Sequence, residues 1–138
     1  MASAGIFLKG NFAHIITLDG TKKEHTLIDK KFDKLELVKN PTQKDVEKIK
    51  NTLFKYIEKN SISRITLNRR ITAGQMAGAA GTFLWEGILL ASSPVPLVFV
   101  HAATLRATAK KSGELKKSFP EDKILPAKAY DFAFEGLK

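Results

Sequence analysis

The side chains of this 138-residue chain that are equipped for chemistry are few and mostly cationic. Arg69 and Arg70 close an apolar segment, Ile65-Thr-Leu-Asn68, and a run of small residues from Ala73 to Gly81 follows them. Two guanidiniums at the start of a glycine-rich helix offer charge and free backbone N–H groups to a phosphate. Lys110, Lys111, Lys116 and Lys117 form a second basic cluster around Ser112-Gly113. The competing reading of both groups is a solvated surface. His14, His25 and His101 are far apart, and no Ser–His–Asp arrangement is legible. His101 follows the apolar Leu97–Val100, at the kind of strand end where α/β sheets place ligands. Ala73-Gly-Gln-Met-Ala-Gly78 lacks the Lys-Ser/Thr of a phosphate-binding P-loop. Without cysteines there is no disulfide and no thiolate metal site. These patterns nominate no catalytic residue and no metal ligand.

The charge supports the phosphate reading and localises it. Lys and Arg number 23 against 14 Asp and Glu, a net charge of +9. Such a field attracts polyanions without demanding a sequence. Residues 1–70 carry 15 basic and 8 acidic residues, residues 106–138 carry 8 and 5, and residues 71–105 hold only Glu86. The middle stretch is expected to be buried or to face a second copy. Gly87–Leu105 has no formal charge, but Pro94 and Pro96 interrupt it, so no membrane span is expected. The opening residues lack a basic region followed by an apolar run. A cytoplasmic location is the expectation.

The elements that must position these residues follow from pattern. Ala4–Leu8 reads as a buried strand, Gly10-Asn11 as a hairpin turn and Ala13–Leu18 as the returning strand. Thr26–Leu37 reads as a third strand whose Phe32, Leu35 and Leu37 do not alternate, so a bulge or break is expected near Asp33. Thr42 with Asp45 three residues on predicts a capped helix start. Val46, Ile49, Leu53 and Ile57 give that helix its apolar face. Arg64–Asn68 reads as the fourth strand and Thr72 to about Ala91 as the second helix. Gly74, Gly78 and Gly81 lie in that helix with Trp85 beyond them. Glycine costs about 1 kcal/mol per helical position, so these sites imply close backbone approach, to the sheet or across a homodimer face. Leu97–Val100 reads as a fifth strand of the buried parallel type. A short helix is expected over Leu105–Lys111 and a last one from Pro126, with Ala129, Phe132, Ala133 and Leu137 inward. The expected product is one α/β domain over residues 1–138. Its sheet is mixed and five-stranded, order 3-2-1-4-5, with helices on both faces.

This layout resembles the ribonuclease H-like superfamily, and more closely its Holliday-junction-resolvase (RuvC-like) branch. Gly5-Ile6-Phe7-Leu8-Lys9-Gly10 looks like that branch's Gly-Ile-Asp-Pro-Gly opening, and Ile65-Thr-Leu-Asn68-Arg69-Arg70 like its second-carboxylate strand. The chain is also similar to a small bacterial family of unknown function with that fold. Members of that family open Gly-Val-Glu-Leu-Lys-Gly and carry Lys-Gly-Lys-Phe-Ala-Gly-Gly-Ala where this chain has Ala73–Ala80. The resemblance covers nearly all of residues 4–137 and implies nucleic-acid partners.

The departures bear on chemistry. The first two acids of the nuclease pattern fall on Phe7 and Asn68, and only Asp131 stands near the third. Two-metal phosphoryl transfer needs carboxylates that hold cations about 4 Å apart. An Asn carbonyl can ligate a hard cation but does not neutralise it. Mg²⁺ is therefore expected only if a rearranged site exists, and no other cofactor is implied. The leading expectation is a catalytically degenerate ribonuclease H-like domain. It would bind nucleic acid, without sequence preference, or a nucleic-acid-processing complex. Arg69, Arg70, Lys110, Lys111, Lys116 and Lys117 would meet phosphates. One alternative is a homodimerisation module with Gly74, Gly78, Gly81 and Trp85 on its face. Another is a nuclease with a rearranged metal site.

Overall fold

The computed structural model describes residues 2–28, 33–68, 80–116 and 124–138. Six strands and four helices lie among them. The strands are β1 Ala2–Lys9, β2 Phe12–Gly20, β3 His25–Ile28, β4 Lys34–Glu36, β5 Ile62–Asn68 and β6 Leu97–Val100. The helices are α1 Gln43–Lys59, α2 Ala80–Ser92, α3 Ala102–Ser112 and α4 Ile124–Glu135. The sheet runs β3-β2-β1-β5-β6, with β4 also paired to β2. β1 to β2 is antiparallel, while β1, β5 and β6 are mutually parallel. This is the expected order, and the mixed sheet carries helices on both faces.

The expected third strand is two strands. β3 pairs with Thr17–Gly20 and β4 with Phe12–His14, so both lie along the same side of β2. Between the two ladders, Ile15 N–H donates to the Asp33 carbonyl at 2.8 Å. That irregularity falls where the broken alternation of Phe32, Leu35 and Leu37 anticipates it. Residues 29–32, with Lys30 and Lys31, lie outside the described residues.

Period-two alternation divides the sheet into two faces. Ala2, Ala4, Ile6 and Leu8 of β1 join Ala13 and Ile15 of β2 and Ile65 and Leu67 of β5 in one core, covered by Leu53, Tyr56 and Ile57 of α1 and Trp85 and Leu89 of α2. The start of α1 carries the expected capping box. Thr42 Oγ1 accepts from Asp45 N–H while the Asp45 carboxylate accepts from Thr42 N–H. The opposite face meets α4 through Ile16, Leu18, Ala129, Tyr130, Ala133, Phe134 and Leu137. Gly5 is required there: a Cβ on it would lie 2.0 Å from the Ala129 carbonyl oxygen and 2.2 Å from the Ala133 nitrogen. α4 runs antiparallel to β1, with Phe132 stacked on Phe7 and Gly136 above Ser3. α3 packs outside α4 and buries no residue fully.

The middle stretch of the chain is less buried than its composition implies. β6 is an edge strand with Val98 exposed, because nothing described pairs its far side. On α2, Phe83, Leu84 and Leu90 are exposed while the one charged residue, Glu86, is buried. No helix among the described residues is long and apolar enough to cross a membrane.

Candidate functional site

The parallel strands β1 and β5 end side by side, and Asn68 marks the spot. Its Oδ1 accepts from Leu8 N–H at 3.0 Å and its Nδ2 lies 3.5 Å from the Leu8 carbonyl. The backbone ladder last pairs Ile6 with Leu67. The Asn68 amide, a donor and acceptor in one plane, continues that ladder by one step. Its carbonyl oxygen is thus engaged with a peptide N–H rather than turned toward a cation.

Phe7 sits beside it on the α4 face. Its ring lies 6.4 Å from Phe132 at 11° and 6.5 Å from His14 at 30°, and Lys128 Nζ stands 4.9 Å above its centroid. An aromatic cluster with a lysine over it occupies the first position of the nuclease pattern. At the third, Asp131 is ion-paired with Lys116 at 2.9 Å. No three His, Asp or Glu side chains converge among the described residues.

What does converge is a basic, aromatic surface. Register places Phe7 opposite His14, Lys9 opposite Phe12, and His14 opposite Lys34. All five side chains therefore project to one face of the sheet, the face on which Phe7 meets α4. Phe12 and His14 stack with centroids 6.0 Å apart, and Lys34 Nζ lies 5.1 Å over the Phe12 ring. An open concavity of about 610 Å³ is lined by Lys9, Gly10, Asn11, Phe12, His14 and Lys34. His14 holds its proton less readily than a free imidazole. Burial is the main cause, the Lys34 and Lys9 ammoniums add to it, and Asp33 opposes.

The hairpin that forms this rim is pinned from behind. Gly10 adopts φ +59°, the left-handed conformation a two-residue turn needs at its first position. Trp85 Nε1 donates to the Asn11 carbonyl at 2.8 Å, as Leu37 N–H also does, and Thr82 Oγ1 donates to the Gly10 carbonyl at 3.3 Å. A Cβ on Gly81 would meet Asn11 Oδ1 at 2.0 Å and the Gly10 carbonyl at 2.7 Å.

These contacts correct the expected dimer face. Trp85 is 1% exposed and serves the core of its own chain, and Gly81 admits the hairpin of that same chain. Gly74 and Gly78 lie outside the described residues. The outward face of α2 is instead Phe83, Leu84, Gly87 and Leu90.

Of the expected phosphate residues, Lys110, Lys111 and Lys116 lie among the described residues. Arg69, Arg70 and Lys117 lie outside the described residues. Asn68, which precedes the two arginines, ends β5 beside Leu8. Lys110 and Lys111 end α3 at the other end of the sheet. Two residues before Lys110, Thr108 donates to Glu135, next to the Gly136 that covers Ser3 near the start of β1. Lys116 is not a free cation, being paired with Asp131 and standing 5.4 Å over the Phe134 ring. His101 is exposed at the start of α3, as a strand-end position allows, and its side chain caps nothing.

His25 is a clasp. Its Nδ1 lies 3.1 Å from the Lys22 carbonyl and its Nε2 2.6 Å from the Tyr130 hydroxyl. With Nδ1–H donating to that carbonyl, Nε2 accepts from Tyr130, which ties the β2–β3 turn to α4.

The sequence did not nominate Lys9, Phe12, Lys34 and Lys128, because their meeting depends on pairings among β1, β2 and β4 and on the seat of α4. The signal was present: in a hairpin closed at Gly10-Asn11, residues 7, 9, 12 and 14 must share a face.

Three comparisons bear on this geometry. A family described as a protein of unknown function (DUF3010) matches residues 1–136. No curated protein matches the chain. Among solved structures, Thermus thermophilus RuvC superposes with a TM-score of 0.73 at 13% identity, over 97% of this chain and 92% of that one. RuvC of T. thermophilus in complex with a Holliday junction substrate superposes with a TM-score of 0.71 at 15% identity, over 97% and 90%. The chain has the RuvC-like, ribonuclease H-like fold.

Proposed function

The chain belongs to the DUF3010 family of proteins of unknown function, and on that premise we propose a ribonuclease H-like domain that lacks metal-dependent nuclease chemistry and binds nucleic acid by its phosphates. The observation that carries this reading is the end of β1. There Phe7 and Asn68 stand in place of the pattern's acids, Lys128 lies over the Phe7 ring, and Lys9 and Lys34 line the adjoining concavity. Lys9 ends β1, which is parallel to β5, and so stands at the edge where α/β sheets receive ligands. Arg69 and Arg70, which follow Asn68 in sequence, extend this basic group in the proposal. Lys110 and Lys111 make a separate, more distant contact. The fold supports the reading because the T. thermophilus relative is seen with a Holliday junction.

The test is a low-salt binding assay with duplex, single-stranded and branched DNA and RNA, with and without Mg²⁺. Binding that weakens steeply with salt, without cleavage, is the expected result. Replacing Lys9 and Lys34 together with alanine weakens binding to every substrate, and replacing Arg69 and Arg70 does the same. Affinity that survives both double changes at physiological salt removes these residues from the interface. Cleavage that requires Mg²⁺ overturns the degenerate reading in favour of a rearranged nuclease site.

A second reading rests on α2. Phe83, Leu84 and Leu90 are exposed around Gly87, whose Cα has open space where a Cβ would stand. Exposed apolar side chains on one helix face fit an interface between two copies. Light scattering across concentration tests it: a dimer that Leu84→Glu makes monomeric supports the reading, and a monomer throughout dismisses it.

A further inference from the structure

Phe12 is a half-buried aromatic residue at the rim of the hairpin. It packs in neither hydrophobic core, although its neighbours Leu8, Ala13 and Ile15 do. It stands at the first position of β2, opposite Lys9 and Glu36, on the rim of the open concavity. Its ring continues a row of rings through His14, Phe7 and Phe132, with successive centroids 6.0, 6.5 and 6.4 Å apart and interplanar angles of 26°, 30° and 11°. An exposed lysine, Lys34, lies over that ring, and Lys9 and Lys128 flank the row.

A ring at the open end of such a row, set between ammoniums, is equipped to stack on another flat π-system attached to an anion. Resting on the phosphate-binding reading above, we infer that this face takes single-stranded nucleic acid, with an unpaired base stacked on Phe12 and the adjoining phosphates on Lys9 and Lys34. On binding, the base takes the position of the Lys34 ammonium over the ring. The displaced ammonium then meets the phosphate beside that base, so a cation–π contact is exchanged for a stack and a charge-assisted hydrogen bond. A duplex cannot make this contact along its length because its base faces are already stacked within the helix. The rim is fixed by Trp85, Thr82 and Leu37 through the Gly10 and Asn11 carbonyls, so the ring is held in place before the strand arrives.

The experiment is fluorescence anisotropy with the full chain and four labelled probes. These are an oligothymidylate of about 12 nucleotides, an abasic strand with the same number of phosphates, the matching oligouridylate and a blunt duplex. The expected result is binding of the thymidylate or uridylate strand about tenfold tighter than the abasic strand, with the duplex near the abasic value. Phe12→Leu keeps the apolar bulk and removes the π-face. It is expected to bring the strands with bases down to the abasic affinity while leaving abasic binding unchanged. Circular dichroism establishes that the variant is folded, and the abasic comparison on the unaltered chain stands without it. Equal affinity for strands with and without bases overturns the stacking assignment and leaves the phosphate reading intact. No binding of any probe at low salt overturns both. A preference for thymidylate or for uridylate over the abasic strand supports the platform.

Discussion

At Asn68 a side-chain amide takes over the hydrogen bonding that the strand backbone ends. Leu8 N–H points into the gap between β1 and β5, where the Asn68 amide oxygen meets it. Asn68→Ala leaves that N–H without its partner and is expected to cost about 1 kcal/mol, read as a lower urea midpoint. Asn68→Asp restores the acid of the nuclease pattern but sets a carboxylate oxygen against the Leu8 carbonyl, so it is also expected to destabilise. His14 gives a second prediction. Burial first, then Lys34 and Lys9, holds its pKa below that of a free imidazole, while Asp33 partly compensates; Glu36 also lies on that face. The unfolded chain therefore binds the proton more readily than the folded one. Stability is fully present above the unfolded value and is lost as pH falls from it through the depressed folded value. Thermal midpoints between about pH 7.5 and pH 5 should fall more for the natural chain than for His14→Gln.

At the scale of elements, small residues set how closely helices approach the sheet. α4 rests directly on the β1 backbone at Gly5, whereas Gly87 of α2 has no neighbour within 4 Å of an added Cβ. The two positions predict opposite results for one substitution. Gly5→Ala drives a methyl group into α4 backbone atoms and should cost about 3 kcal/mol or more. Gly87→Ala removes a helix-weakening residue in open space and should stabilise by about 0.5–1 kcal/mol. Denaturant midpoints of the two variants decide. The expectation that the glycines of this helix permit close approach holds at Gly81, where the approaching backbone is the β1–β2 turn of the same chain. α1 was legible in detail, because a capping box and an apolar stripe are both local patterns.

Across the whole molecule, the described lysines of the proposed interface fall at both ends of β1. Lys9 and Lys34 lie near the end of β1, with Lys128 above Phe7, while Lys110 and Lys111 lie beyond its start. If a strand contacts only the three lysines of the aromatic face, log K should fall against log salt with a slope of about −2. Engagement of Arg69 and Arg70 as well would bring it to about −3.5. Lys110→Ala with Lys111→Ala should leave the slope unchanged for a short strand and reduce it for a long one, because a short strand cannot reach both ends.

The order of strands and helices, the hairpin at Gly10-Asn11, the start of α1 and the inward face of α4 follow from the sequence itself. Each rests on periodicity or on residues a few positions apart, and such patterns act before the chain is folded. The split of the third strand was visible only as broken alternation, since pairing to two parts of β2 decides it. The site depended on the tertiary structure throughout. Whether Phe12 joins a core, whether Trp85 faces a partner or its own hairpin, and whether Lys116 is free are settled by which distant segments meet. The direction of α3 was hidden for the same reason: it carries Lys110 and Lys111 to the opposite end of the sheet from Asn68, which no local pattern encodes.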